Sequence, residues 1–470
     1  MGTRGGEAAR FAEYLERLGE AVGHADRREP LRAYVTGLLL PGERKSVEPM
    51  AAKIDPRRVA ARHQSMHHFV AAAPWEAQAV VDVAREWVLP QLERHGPVAA
   101  WVVDDTGTPK KGRHSVGVAR QYCGPLGKPD NCQVAVTVSL VNAALSVPAA
   151  YRLYLPEVWA RDRRRRRRAY VPPSVRFAPK WTLALAEVDR LLAADVPRAP
   201  VVADAGYGDV VAFRDGLTAR GLSYAVGVQS DTAVWPPGQA PGGPAPWCGW
   251  GPHPRRLRRT ARQRPLAVAA LATRLPASAW ERVRWRAGTR GPMESRFAAV
   301  RVRPAHRDEK RVVPRDVEWL LIEWPRGEPG ATKYWLSTVP GTVARGELVR
   351  LAKIRWRIER DFQELKDELG LDHYEGRSWH GFHHHGALCI AAYAFLAAER
   401  ARLSPQHLLP SFSPLAYPAV SAHAALPLRP ERHQPASITT MRVSHARRLV
   451  RTLPCCPYCG VDGERNLMTQ

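Results

Sequence analysis

The sequence predicts an α/β protein with a mixed β-sheet covered by helices. Three observations predict this class: apolar residues at helical spacing over residues 1–95, adjacent strand-like runs between residues 97 and 153, and alternating strand and helix patterns up to residue 228. The adjacent runs indicate antiparallel hairpins. The later alternation indicates strands joined through helices, so the sheet contains both kinds of pairing.

Length, charge and cysteine usage narrow the class further. A chain of 470 residues predicts about two to four domains. Its formal net charge of +25 indicates a polyanionic partner, with nucleic acid the first candidate. Seven scattered cysteines favour a reducing cytoplasm over a disulfide scaffold. No signal segment opens the chain, and its longest apolar stretch, Gly386 to Ala398, is far short of the roughly 20 residues that span a bilayer. We therefore expect no membrane association.

The first half of the chain divides near residue 95. Residues 1–95 are predicted to form a helical N-terminal domain, whose basic segment "GERKSVEPMAAKIDPRRVAARH" fits either DNA binding or a plain helical cap. Residues 96–230 are predicted to form the first part of the core. Its strands are "VAAWVVDD", "HSVGVARQYCG", "NCQVAVTVSLVN", "PAAYRLYLP", "APVVADAGYGD" and "LSYAVGV".

The second half begins with a segment of different composition. Residues 231–330 are rich in Pro, Gly, Trp and Arg, and the runs "WERVRWRAG", "SRFAAVRVRPA" and "DVEWLLIEW" predict a β-rich insertion. Residues 331–400 return to the core with the strand "KYWLSTVP" and one long helix, "VARGELVRLAKIRWRIERDFQELKDELGL". Residues 401–470 show no readable fold and are predicted to be a C-terminal tail, in flexible or ordered form.

One edge of the long helix carries a charged cluster. At 100° per residue, Arg355, Glu359 and Lys366 fall within about 40° of one another. They border an apolar stripe made of Leu351, Ile354, Ile358, Phe362, Leu365 and Leu369. Arg355 and Glu359 alone are explained by a surface i,i+4 ion pair worth a few tenths of a kcal/mol. The alternative is that the three side chains belong to a site.

Carboxylates at predicted strand ends favour that alternative. Asp104 and Asp105 end one apolar strand, and Asp204 ends another. A strand-end Asp often serves as a turn residue or helix cap, but a buried carboxylate is costly unless it is paired or binds a metal. Together with Glu359, these acids fit a site for two Mg²⁺ ions, with Mn²⁺ as a substitute. Two such ions stabilise the attacking and leaving oxygens of a phosphoryl displacement.

These segments resemble the DDE transposases of bacterial insertion sequences, in the branch related to insertion sequence four and nearest to the family numbered seven hundred and one. The resemblance runs through "GLLLPGERKSVEPMA", "WVVDDTGTPKKGRHSVGVARQYCGPLGKPDNCQVAVTVSLV", "ADAGYGD", "RAGTRGP" and "IRWRIERDFQELKDELGLDHYEGR". It implies an RNase H-like mixed-sheet core, with the first Asp on the first strand, the second Asp on the fourth strand and the Glu on a late helix. A β-rich insertion before the Glu is also implied.

The resemblance assigns roles to particular residues. The family signature has four positions: a Tyr, an Arg after two intervening residues, a Glu after three more and a Lys after six more. Arg355, Glu359 and Lys366 match the last three positions, and Ala352 stands at the Tyr position. The catalytic and metal-binding acids are then Asp104, Asp204 and Glu359. Asp105 is the alternative to Asp104. Arg355, Lys366, Lys110 and Lys111 are expected to contact DNA phosphates.

Three further motifs leave alternatives open. The run Arg163–Arg168 either contacts phosphates or is a disordered basic stretch. Cys456 and Cys459 in "CCPYCG" have half of a zinc-knuckle spacing, without a second pair. His383, His384 and His385 are adjacent, so they cannot all face one ligand on a helix, and we expect a phosphate-facing or surface loop there.

The expected function is DNA transposition: metal-dependent cleavage at insertion-sequence ends, followed by strand transfer into target DNA. The expected partners are double-stranded DNA, as terminal inverted repeats and target, and a second copy of the chain in a synaptic dimer. The expected location is the bacterial cytoplasm, at the nucleoid. The alternatives are a catalytically inactive repressor derived from a transposase and a metal-dependent nuclease.

Overall fold

Five helices form the N-terminal part of the chain in the computed structural model, which describes residues 6–260, 264–288, 291–403, 437–455 and 457. They are α1 (Glu7–Ala21), α2 (Ala25–Leu39), α3 (Val47–Ile54), α4 (Val59–Ala71) and α5 (Ala77–Arg94). Their apolar faces are buried, as helical periodicity predicts; Tyr14, Leu31 and Val80 each have almost no exposed surface.

An antiparallel group of strands follows. It contains β1 (Ala100–Pro109), β2 (Ala119–Cys123), β3 (Lys128–Val141) and β4 (Ser146–Leu153). Strand β3 lies between β1 on one side and β2 and β4 on the other. The prediction that Asp104 and Asp105 end the first strand is wrong, because β1 pairs with β3 as far as Pro109. Turn residues in "GTPKKG" suggested an earlier end, but Gly107 and Thr108 are paired within the ladder.

Two parallel strands extend this sheet. The segment contains α6 (Glu157–Arg161), α7 (Arg163–Arg168), α8 (Lys180–Ala193), β5 (Val201–Ala203), α9 (Ala205–Gly208), α10 (Val211–Ala219) and β6 (Tyr224–Val228). Strand β5 pairs in parallel with β1, and β6 pairs in parallel with β5. Helices α8 and α10 precede β5 and β6, as parallel pairing requires a long crossover. Asp204 therefore follows the fifth strand in chain order, since the short β2 comes before it.

The next segment continues the same sheet. It contains β7 (Ala233–Trp235), β8 (Leu266–Ala267), α11 (Val268–Ala272), β9 (Glu281–Gly288), β10 (Gly291–Pro304), β11 (Glu318–Trp324) and β12 (Lys333–Ser337). Strand β12 pairs antiparallel with β6, and β11 and β10 follow in order beyond it. The strands predicted in this segment are present, and they lengthen the mixed sheet instead of leaving its β6 edge open.

The predicted long helix is two helices, α12 (Arg345–Lys353) and α13 (Trp356–Asp367), so the prediction of one continuous helix is wrong. At the junction the amides of Ile354 and Arg357 donate to carbonyls three residues earlier, which tightens the backbone. Ile358 packs on Ala100, Val102, Val202 and Ala225 of the sheet. The junction therefore sets α13 across strands β1, β5 and β6.

A long buried helix, α14 (Trp379–Leu403), lies at the centre of the fold. It contacts α1, α2, α4, α5 and β4, together with α15 (Ile438–Val450), a helix that the sequence analysis did not predict. Among the described residues, no helix is long and apolar enough to cross a membrane.

The prediction of a loop at His383, His384 and His385 is wrong, because these residues lie on α14 and two of them are almost fully buried. Tyr34 lies with its hydroxyl 2.9 Å from Nδ1 of His385, and Nε2 of His385 lies 2.8 Å from the Gly370 carbonyl oxygen. Burial lowers the pKa of His385 to about 4. A neutral imidazole with both nitrogens paired is tolerated in a core, and this pattern has no signature in sequence.

Candidate active site

Asp104 and Asp204 lie side by side because of strand register. Strands β1 and β5 are parallel, and Val102 pairs with Val202. Each Asp follows its valine by two residues, on the same face of the sheet. Burial, together with the nearby charges of Asp204 and Asp105, raises the pKa of Asp104 to about 7 against the opposing effect of Arg355. The two carboxylates thus repel each other in a partly desolvated place.

Glu359 joins them from helix α13, through Arg355. The Arg355 guanidinium lies 2.8 Å from Oδ1 of Asp104, 2.9 Å from Oε1 of Glu359 and 4.0 Å from Oδ2 of Asp204. Burial alone lowers the pKa of Arg355, but the three carboxylates outweigh burial and raise it. The predicted i,i+4 ion pair between Arg355 and Glu359 is therefore present, and the same guanidinium also contacts Asp104 and Asp204 of the sheet. All three predicted acids therefore converge on one side chain.

Asp105 points to the opposite face of β1 and has different partners. Its carboxylate accepts hydrogen bonds from Tyr207 Oη at 2.5 Å and Lys180 Nζ at 2.6 Å. Tyr207 lies on α9, directly after Asp204, and burial raises its pKa well above the usual value, so its hydroxyl stays protonated. Asp105 thus fastens α9 and α8 to β1. Sequence reasoning missed Tyr207 and Lys180; "ADAGYGD" held the one signal, an aromatic residue between glycines.

Close backbone packing positions the turn that carries Asp204. A Cβ atom at Gly208 would lie closer than 3.0 Å to the carbonyl oxygen of Gly227 on β6. A Cβ atom at Gly227 would in turn lie 2.9 Å from the Ala205 amide nitrogen. Strand β6 and helix α9 approach here at a distance that only glycine permits. Gly208 of "ADAGYGD" and Gly227 therefore hold the turn that begins with Asp204 against β6.

Two of the three lysines predicted to contact phosphates have backbone partners. Lys366 Nζ donates to the Gly107 carbonyl at 3.0 Å, and Lys110 Nζ donates to the Tyr374 carbonyl at 2.6 Å. Burial lowers the pKa of both lysines. Lys111 is exposed. Lys366 therefore lies beside β1, where its partner Gly107 is three residues beyond Asp104. Ala352, at the position of the family tyrosine, is buried against Leu348 and Val349.

The carboxylates have the donor chemistry of a divalent-cation site. Oδ1 of Asp204 is buried and has no hydrogen-bond partner among the described residues. An orphaned carboxylate oxygen beside two further carboxylates fits a hard cation, which prefers oxygen ligands. Among the described residues, no three His, Cys, Asp or Glu side chains are already arranged as a metal cluster, and the Arg355 guanidinium lies among the three acids. Cys456 and Cys459 lie outside the described residues.

Comparison with known proteins defines the class. The family described as "DDE superfamily endonuclease" matches residues 17–292, more than half of the chain, and the chain belongs to this family. A protein of Microchaete diplosiphon named "Probable transposase for insertion sequence element IS701" is 31% identical over 172 residues. That similarity covers 36% of this chain and 42% of the relative. The resemblance to DDE transposases is thereby confirmed.

The family match bears differently on the three acids. Residues 17–292 include Asp104 and Asp204 and end before Glu359. Membership implies divalent-metal dependence and DNA binding in general terms. The position of Glu359 rests instead on the contact through Arg355.

Proposed function

We propose that this protein is a DNA transposase that cuts DNA at the ends of an insertion sequence and transfers the freed ends into target DNA. The convergence of Asp104, Asp204 and Glu359 around Arg355 carries the proposal. The strand order β4-β3-β1-β5-β6, with β5 and β6 parallel to β1, supports an RNase H-like core. Residues 231–330 would be the insertion, and the helices of residues 1–95 the N-terminal DNA-binding domain.

Asp104, Asp204 and Glu359 would hold two divalent ions, Mg²⁺ or Mn²⁺. When bound, such ions supply an activated water and stabilise charge on the phosphoryl oxygens. Arg355, released from the carboxylates, would face the scissile phosphate, and Lys366 would stand beside it. Lys110 and Lys111 would contact the flanking strand. Two ends must be held at once for transfer, so the active complex would contain two copies of the chain.

Metal removal gives the first test. Purified protein is incubated with duplex DNA carrying the ends of its own element, and strands are resolved on denaturing gels. We expect nicks with 3′-OH ends in Mg²⁺ or Mn²⁺ and none after chelation. Binding of the ends without cleavage in any metal would instead favour the inactive repressor. Cleavage of every duplex without joining of ends would favour a general nuclease.

The choice between the adjacent acids gives a second test. Asp104→Asn should lower the cleavage rate more than about 100-fold, since even outer partners of metal ligands cost 10–100-fold. Asp105→Asn should lower it about 10-fold or less, because a carboxamide oxygen still accepts the Tyr207 hydrogen bond. Single-turnover cleavage of end DNA measures both variants. The reverse ranking would make Asp105 the ligand.

A further inference from the structure

The arginine run Arg163–Arg168 has two chemically different faces. It forms helix α7, and the Asp162 side chain caps it by accepting from the Arg165 amide at 2.9 Å. The Arg165 guanidinium stacks on the Trp159 ring at 3.8 Å. Arg166 donates to the carbonyls of Pro172 at 3.0 Å and Val175 at 2.8 Å. These two arginines hold α7 in place, so the run is an ordered element.

The other four arginines form an exposed face. At 100° per residue, Arg163, Arg164, Arg167 and Arg168 span about 140° of the helix. All four are exposed, and no hydrogen bond or ion pair among the described residues involves their side chains. Four adjacent guanidinium groups without acidic partners repel one another. An anionic partner would relieve this repulsion.

Helix α7, which carries this arginine face, is attached to the loop that follows β1. Arg165 Nη2 donates to the carbonyl of Arg113 on this loop at 2.9 Å. At the end of α7, the Ala169 carbonyl accepts from the amide of Trp379, the first residue of α14, at 2.8 Å. Lys111 and Arg113 are exposed on that loop. We define the basic surface as the exposed basic side chains of this loop and of α7, which are Lys111, Arg113, Arg163, Arg164, Arg167 and Arg168.

Lys111 places one end of the basic surface within reach of DNA held at the acids. Lys111 follows Asp104 by seven residues, so their Cα atoms are at most about 24 Å apart, at about 3.4 Å per residue. The same distance spans about seven base pairs of duplex. A duplex whose scissile phosphate lies at Asp104 therefore has flanking phosphates at this range.

We propose that this basic surface binds the phosphate backbone of duplex DNA flanking the cleavage site. The proposal rests on the proposed function for the position of the DNA. Guanidinium groups recognise phosphates without reading bases, so the surface adds affinity and orientation and little sequence preference. The flanking duplex belongs either to the element end or to captured target, and the shared ligand is the phosphate backbone.

The test replaces Arg163, Arg164, Arg167 and Arg168 together with Gln and measures duplex affinity against salt. The slope of log affinity against log salt is negative, and each lost phosphate contact reduces its magnitude by about 0.9, so we expect the magnitude to fall by between about 2 and 3.6. A matched variant changes Arg255, Arg256, Arg264 and Arg274 to Gln, removing as many charges from exposed positions elsewhere. Its slope should change by less than about 1. Equal slopes in the two variants would overturn the proposal.

Two further measurements separate lost phosphate contacts from lost stability and show which DNA flank is bound. Arg166→Gln should lower Tm and leave the slope near the wild-type value, since Arg166 acts on the backbone of its own segment. End duplexes with and without DNA beyond the cleavage site, and a non-specific duplex as target, show which flank contributes. If wild-type protein fails to nick end DNA but the salt dependence still weakens in the variant, the proposed function fails, and the surface binds duplex phosphates without a cleavage site beside it. If wild-type protein nicks and the slope is unchanged, the surface alone is excluded.

Discussion

Glu359→Ala is expected to leave binding of element ends nearly intact and to lower metal-dependent cleavage more than about 100-fold. Glu359 is partly exposed, so loss of its ion pair with Arg355 should cost less than about 1 kcal/mol of stability. Arg355 keeps its contact with Asp104 at 2.8 Å, which preserves the junction between α12 and α13. Gel-shift assays measure binding, and single-turnover nicking measures cleavage.

Asp367→Ala is the matched control for this variant. Asp367 is an exposed acid on the same helix, in its last turn. Its removal changes the net charge equally and should change cleavage less than about 2-fold. Cleavage retained in Glu359→Ala would remove Glu359 from the metal site, whatever the control shows.

Gly208→Ala should be the most disruptive single change near the site. The new Cβ would collide with the Gly227 carbonyl oxygen, which is backbone in the middle of the sheet and cannot rotate away. Overpacking typically costs about 1–3 kcal/mol, and we expect a cost at the top of this range because relief requires α9 to move away from β6. Asp204 begins that turn, so cleavage should fall together with Tm. Differential scanning calorimetry and end cleavage measure the two effects.

Gly346→Ala is its control. A Cβ at Gly346 meets no atom within 4 Å, and the residue lies in the first turn of α12. We expect unchanged cleavage and stability raised by up to about 1 kcal/mol. Wild-type Tm and cleavage in Gly208→Ala would show that the turn holding Asp204 is not fixed by this contact.

Strand patterns proved easier to predict than the irregular points between elements. Short apolar runs located β5 and β6, because these strands are buried on both faces. Strand-like patterns also located β9–β12. The break at Ile354 and Arg355 left the apolar period unchanged, so nothing in the sequence marked it. The helical burial of His385 likewise depends on a carbonyl and a hydroxyl that distant segments supply.

The adjacent acids Asp104 and Asp105 also show which features local sequence predicts and which depend on tertiary packing. Adjacent residues on a strand face opposite sides, so sequence predicts that Asp104 and Asp105 have different surroundings. Which side faces α13 is decided by tertiary packing, chiefly Ile358 on the sheet. The resemblance favoured Asp104, and the contact of Asp104 with Arg355 agrees with that choice without testing its role in catalysis.

The burial of α14 has a consequence for how the chain can be divided. Helices α1, α2, α4 and α5 cover this 25-residue helix, which also packs on β4 of the sheet. A fragment beginning at residue 96 would expose to water the apolar residues of α14 that these helices cover, a surface that invites aggregation. The helices proposed to hold DNA and the sheet that holds the acids therefore share a single folding unit. A destabilising substitution at the contact between α5 and α14, far from Asp104, would therefore abolish cleavage by unfolding the protein.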